Sequence, residues 1–491
     1  MDPTPGGVLL ILAMVVPVTG MLVAFAMGGR AAERIALGVV PVGIGIALLL
    51  AAGVLRAKAP IVAWVGNWAP PLGLALRVDG INAAMLLTTA LILGGVALHA
   101  RADYATAPGA AEARAPLAFW VFFLALWTAL GMAFLGSDLF NLFVALEMLT
   151  FGALALACLD GRATQFKAEL RYLLFALIGS VLYLLGCGLL YGDYGTLDVV
   201  LLARAARPDA ATIMAAALMS VGLLAKMALF PLHLWLPPAH AGAPPAASAV
   251  LSGLVVKASY FLLLRLWFTV LPGALAAAVA PVFATLGAAA ILFGSLVALR
   301  QARLKLLVAY STVAQIGYLF LMFPLVAGAT DGLGSAAWLG GALQAICHAF
   351  AKAAMFLAAG VIAGVLGHDR IADLGGSARA TPLSVWAFGL AGLSLMGIPP
   401  SGGFSAKWLL LIAAIETGQW WWALVIVGGG LLTGGYVFRV LSASMADSAA
   451  PPVAAAKPVQ ERVALGLAIV SVLLGLMPLG AFGLVRIGLL P

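Results

Sequence analysis

Fourteen long apolar runs, separated by short charged or Gly/Pro-rich stretches, leave this chain little choice of fold. They fall at about 7–27, 35–55, 80–100, 116–135, 138–159, 170–191, 211–236, 245–269, 276–299, 305–327, 335–366, 383–415, 420–443 and 463–487. Each reaches the ~20 residues an α-helix needs to cross a bilayer. Backbone exposed to lipid must satisfy its own polar groups, so runs of this kind predict helices. Only 9% of the 491 residues are charged and 64% are hydrophobic, whereas soluble domains carry roughly 25% charge. A soluble enzyme, a nucleic-acid binder and a disordered chain are thereby excluded. The pattern predicts an all-α polytopic membrane protein of about 14 transmembrane helices, with the lipid bilayer as its solvent. The longest polar pieces, 101–115, 192–210 and 444–462, are too short to form a separate soluble domain.

The net charge of +8 is best read by position. Fifteen of the 26 Lys and Arg residues fall in odd-numbered loops, against six in even-numbered loops and span ends. By the positive-inside rule the odd loops are cytoplasmic and both termini face outward, across a cell inner (plasma) membrane. The N-terminus lacks the basic region of a signal peptide and reads as the first span. The stretch LDVVLLARAA (197–206) is apolar but short, which predicts an interfacial amphipathic helix. Cys158, Cys187 and Cys347 lie singly inside apolar runs. They predict neither a metal site nor a disulfide framework, and nothing in the sequence calls for a cofactor.

Ionisable groups inside a bilayer cost at least ~2.5–3.5 kcal/mol each and mark ion pathways. Glu147 stands as the one acid deep in a span. Lys226, Lys257 and Lys407 are mid-span, and His348 and Lys352 form an i,i+4 pair. A lysine near a helix end can snorkel to the headgroups, but four separate mid-span lysines are not accounted for that way. His233 follows Pro231, where a histidine serves either as a relay or simply bonds freed carbonyls; His240 beside Pro238 favours the bland role. Asp138 and Glu416 lie near span ends and read as interfacial. An acid and an amine in low dielectric stabilise each other's charges only while they touch, so making and breaking a Glu147–Lys226 contact moves a proton, with the pair titrating as one unit. Histidines bridge between lysines at working pH. Pro231, and Pro399 and Pro400 among Gly397, Gly402 and Gly403, interrupt two of the helices. Broken backbone at membrane depth is tolerated only where protein or water meets it. One broken helix in each half, each with its own lysine, is the pattern of a repeat-built transporter.

At these residues the chain resembles the antiporter-like, proton-translocating membrane subunits shared by respiratory complex I, membrane-bound hydrogenases and Mrp-type cation/proton antiporters. The likeness runs from about 80 to 440. It implies two inverted five-helix repeats, spans 4–8 and 9–13, with helices 7 and 12 broken. The corresponding divisions are residues 1–110 (three N-terminal helices), 111–270 and 271–443 (the repeats), and 444–491 (a linker and the last helix). It implies proton-relay roles for Glu147, Lys226, Lys257, His348, Lys352 and Lys407, the last standing where some relatives carry glutamate. Within the family the D-type member of Mrp antiporters is most similar, through VGNWAPPLGLALRVDGINAAM (65–85), GSDLFNLFVALEML (136–149) and YLLFALIGSVLYLLGCGLLYGDYGTLD (172–198). Arg303, in QARLKLLVAYSTVAQIGY (301–318), stands where relatives usually have aspartate.

The expected function is therefore proton translocation within a multisubunit Mrp-type Na⁺/H⁺ antiporter, with other membrane subunits as partners. One alternative is a pump subunit of a complex I-type NADH:quinone oxidoreductase or membrane-bound hydrogenase. A second is a proton-conducting partner of an inorganic-carbon uptake complex. The chain carries no flavin, quinone or iron–sulfur motif of its own.

Overall fold

The computed structural model describes residues 2–106, 113–332, 335–447 and 452–489. Its helices are α1 Gly7–Met27, α2 Gly29–Ala57, α3 Gly80–Tyr104, α4 Arg114–Leu135, α5 Leu139–Ala157 and α6 Ala163–Tyr194. A short α7, Val199–Ala205, precedes α8 Ala210–Lys226 and α9 Leu236–Gly242. Then follow α10 Pro245–Val270, α11 Gly273–Arg300, α12 Leu304–Ala327 and α13 Ala336–Leu366. The last are α14 Pro382–Met396, α15 Gly402–Glu416, α16 Trp421–Met445 and α17 Pro458–Leu473. Eleven helices among the described residues are long and apolar enough to cross a membrane, so the expected count of fourteen is not reached by single helices. Three expected spans account for the difference, and the cause is local backbone chemistry.

Span 7 stops at Lys226 and resumes only at Leu236, across Ala228 with φ +58° and a cis Phe230–Pro231 bond. Span 12 divides at Gly397, φ +83°, and a cis Pro399–Pro400 bond. A proline has no N–H to give the helix, and only glycine adopts positive φ freely. The third case corrects the expectation of one span over 463–487. There α17 ends at Leu473, and Pro478 leads into a 3₁₀ turn, Leu479–Arg486. Gly475 lies so close to the Pro400–Ser401 backbone that a Cβ would meet it at 2.2 Å.

Beside the expected helices stands a small β element. Ile61–Trp64 (β1) and Ala75–Val78 (β2) form an antiparallel hairpin, Ile61 opposite Val78 and Trp64 opposite Ala75. Their β-branched and aromatic residues suit a half-buried pleated surface. The hairpin joins the even-numbered loops at one end of the bundle: Ser137 N–H donates to Ala75 C=O at 3.2 Å, and Val199 N–H to Ser137 C=O at 2.8 Å. α7 lies in the segment expected to be interfacial. Its Asp198 caps the Val200 and Leu201 amides, and Val199, Val200 and Leu202 are buried against the protein. Burial pushes the Asp198 carboxyl up from its ordinary range, and the two amides oppose that shift.

Helices α10, α12 and α13 are the most enclosed, whereas α1, α2 and α16 leave much of their surface uncovered. Without a hydrophobic drive between helices in lipid, close association needs small residues. Gly179 on α6 meets Gly222 on α8, and Gly287 on α11 meets Gly317 on α12; a Cβ on Gly317 would lie 2.3 Å from the Gly287 carbonyl. Gly317→Val is expected to cost about 1–3 kcal/mol through overpacking, read as a lower temperature of aggregation for the detergent-purified protein; an unchanged temperature would contradict the tight crossing.

Candidate functional site

The site begins where α8 ends. Lys226 occupies the last turn of that half-helix, at the negative end of its dipole. Its Nζ donates to Glu147 Oε1 on α5 at 3.2 Å and to the Thr150 hydroxyl, one turn further along α5, at 3.0 Å. The Ser180 hydroxyl on α6 also donates to Glu147 Oε1. The pair is thus held by three helices, with the lysine buried and the carboxylate side chain 20% exposed at the protein surface.

The other lysines lie deeper and find carbonyls and hydroxyls. In α10 the first turns widen into a π segment, Leu251–Val255, which displaces carbonyls from the regular ladder. Lys257 Nζ donates to the Ser252 carbonyl at 2.5 Å, and the Ser252 hydroxyl bonds Thr312 on α12 at 2.9 Å. One residue earlier on α12, Ser311 accepts from Lys352 of α13, which also donates to the Val308 carbonyl at 3.0 Å. Lys407, on the far side of the second break, reaches back to the C-terminal carbonyls of α14: Leu395 at 2.6 Å and Met396 at 3.3 Å. Its ammonium also sits 4.0 Å from the centre of the Tyr318 ring. A lysine thus stands at the carboxyl end of the first half of each broken helix.

Between these stations runs a stripe of polar side chains. Gln344, His348 and Lys352 are spaced by four along one face of α13. Gln344 donates to Gln315 at 3.2 Å, and Gln315 donates to the same Leu395 carbonyl that Lys407 uses, at 3.1 Å. His348 is fully buried, both ring nitrogens without a protein partner, and its nearest charges are Lys257, Lys352 and Lys407. Lys257, Lys352, His348 and Lys407 are thus brought together through α12 and α13. Among the described residues no hydrogen bond joins Lys226 to Lys257.

His233 is set apart. Its ring packs on Phe230 and Phe293. His240 is fully buried, stacked on Phe356, with Lys257, Lys305 and Lys352 as its nearest charges. Its place beside the seam has no pattern in the sequence to announce it. Sequence reasoning also misses Ser252, Ser311, Thr312, Gln315, Gln344 and Tyr318, although Ser311, Gln315 and Tyr318 recur at helical spacing in an otherwise apolar span. Glu147 is not the one acid enclosed by helices: Glu169 on α6 is 1% exposed. The apolar run that marks this span starts at residue 170, one position too late to include it.

At the odd-loop end a crevice of about 540 Å³ opens among loops 3, 5, 7, 9, 11 and 13, lined by Asp160, Arg162, Lys305, Asp369 and Lys457 among others. Its acids are paired: Asp369 with Arg303 at 2.9 Å, Asp160 with Arg162 at 3.4 Å, Asp103 with Lys457 at 2.8 Å. Arg303, the departure from the family pattern, thus finds its partner across the crevice. Lys305 donates to the Ala243 carbonyl at 3.1 Å at its inner wall. Among the described residues no group of His, Cys, Asp or Glu is placed to hold a metal ion.

Fold and site together define a multi-pass membrane protein built around a buried seam of acid, amine and amide groups interrupted by broken helices. Over residues 136–433 the chain matches the family described as NADH:quinone oxidoreductase/Mrp antiporter, TM, and it belongs to that family. It is 36% identical over 384 residues to NADH-quinone oxidoreductase subunit N of Desulforudis audaxviator, covering 77% of this chain and 74% of that one. To the D-type member of the Na(+)/H(+) antiporter of Alkalihalophilus pseudofirmus it is 29% identical over 431 residues, covering 87% and 84%. Among solved structures, a chain of the Mrp complex from Dietzia sp. superposes with a TM-score of 0.88 at 26% identity, covering 98% of this chain and 96% of that one. Similar structures come from multisubunit membrane complexes, the membrane-bound sulfane sulfur reductase among them, with a TM-score of 0.85 and 25% identity.

Proposed function

We propose that this chain is the proton-translocating membrane subunit of a multisubunit Mrp-type antiporter, exchanging H⁺ for Na⁺ or another monovalent cation. The observation that carries the reading is the contact between the buried Lys226 amine and the half-buried Glu147 carboxylate at the end of a broken helix. A desolvated ammonium and carboxylate compensate each other only in contact. Parting them lets the amine release a proton and the carboxylate capture one, and restoring contact reverses both transfers. Lys257, Lys352 and His348 then carry the proton along the seam, and Lys407 is the exit-side station. The breaks at 227–235 and 397–401 support treating residues 111–270 and 271–443 as two repeats moving about their own hinges. Odd loops on the cytoplasmic side, and both termini outward, follow from the loop charges.

The Mrp assignment is supported by the likeness to the Dietzia complex across almost the whole chain and by the D-type antiporter relatives of Alkalihalophilus pseudofirmus and Bacillus subtilis. A complex I-type pump subunit remains the second reading, favoured by the 36% identity to subunit N. Purifying the native complex through a tag on this chain separates them. Small membrane subunits without redox centres are expected; iron–sulfur or quinone-site subunits would select the second reading and overturn the first.

A further inference from the structure

Among the described residues one enclosed carboxylate outside the relay, Glu169 on α6, stands without a hydrogen-bond partner at either oxygen. One turn earlier, Gln165 is 3% exposed and likewise unpartnered at both polar atoms. An unsatisfied buried carboxyl is costly and rare in folded proteins, so two neighbouring orphans on one helix face demand a function.

Position supplies it. Arg162, at the N-terminal boundary of α6, lines the odd-loop crevice, and Gly242, also in its wall, lies against the Gln165 side chain, with a Cβ there 3.5 Å away. Arg162, Gln165, Glu169 and Tyr172 recur at helical spacing along one face. Tyr172 stacks on Trp235, and Thr150, the residue that accepts from Lys226, lies near it. From Arg162 to Tyr172 the helix rises about 15 Å. The stripe therefore leads from the crevice to the Glu147–Lys226 pair. The titratable groups facing Glu169 are the Cys158 thiol at the end of α5 and the Tyr172 phenol; His240 on the packed α9 is turned to Phe356.

We propose that Glu169 is a proton-holding site on a second route, along the buried face of α6, between the odd-loop crevice and the Glu147–Lys226 pair. The proton arrives from water in the crevice, resides on the Glu169 carboxyl and passes by way of Tyr172 and Thr150, so no group is consumed. The inference rests on the proton-translocation reading above.

The test uses the intact complex reconstituted in vesicles. E169Q keeps the shape and removes the proton site; proton-coupled transport is expected to fall about tenfold to a hundredfold, with E169D restoring most of it. An infrared pH titration of purified complex is expected to lose one carboxyl band in E169Q. Normal transport in E169Q beside inactive E147Q overturns this route and leaves the general reading standing; normal transport in both overturns the reading itself. Slowed transport with an intact band pattern and no rescue by E169D would mean a structural role. If E169Q fails to assemble, the pH profile of E169D decides: a profile identical to the parent overturns the proposal.

Discussion

Glu147→Gln and Lys226→Met are each expected to leave the complex assembled while lowering proton-coupled transport by about a hundredfold or more, the contribution typical of a positioned proton-transfer group. Gln retains the size of Glu and can still accept from Ser180 and Lys226, but it cannot change charge. Met retains the aliphatic stem of Lys226 that packs in the α6–α8 crossing, where the Lys226 Cγ lies 3.1 Å from a Cβ built on Gly179. Removing the lysine leaves a carboxylate that is still 20% exposed, so the fold is not burdened with a fully enclosed lone charge. The double variant is expected to be no worse than either single, because a pair that acts as a unit is lost with its first member. Transport in proteoliposomes, followed by a pH-sensitive dye, is the readout. Transport within twofold of the parent in either single variant would reject the switch.

The second large effect is on stability. At the even-loop end Asp79 is fully buried and caps α3 through the Asn82 amide at 3.2 Å. Arg265, at the far end of α10, donates to Asp79 Oδ2 at 2.6 Å and also to the Asn82 side chain. Arg77 on β2 lies 3.9 Å from the same carboxylate and donates to the Gly488 carbonyl. One acid thus ties the hairpin, α3, α10 and the C-terminal turn. Asp79→Ala leaves two enclosed guanidinium groups without their anion, which is expected to cost roughly 3–5 kcal/mol. Far less chain should survive in the membrane fraction, and what survives should aggregate at lower temperature. Equal yield and equal heat resistance would show that this network contributes little.

Much of this is legible in the residues and some is not, for identifiable reasons. The two broken helices announce themselves through Pro231, Pro399 and Pro400 beside their mid-span lysines; a proline alone is not the signal, since Pro17, Pro41, Pro281 and Pro324 lie inside unbroken helices. The six relay candidates stand out because a charge in an apolar run is expensive. Their linkage does not, since Ser252, Ser311, Thr312 and Gln315 are cheap residues whose significance comes only from facing a lysine across a helix boundary. The π segment ahead of Lys257 has no composition of its own. The hairpin at 61–78 is hidden inside a stretch too short and mixed to show a period. Glu169 is lost to a helix start misplaced by several residues, the least certain part of any helix read from sequence.

The central claim is that water completes a proton path through this seam, most critically between Lys226 and Lys257, where no hydrogen bond among the described residues joins the two sides. High-resolution electron cryo-microscopy of the intact complex tests it most directly. Ordered waters bridging Lys226 to Lys257, and touching the unpartnered nitrogens of His348, are the expected result. Dry apolar packing between those lysines, with both amines turned toward lipid, would contradict the account.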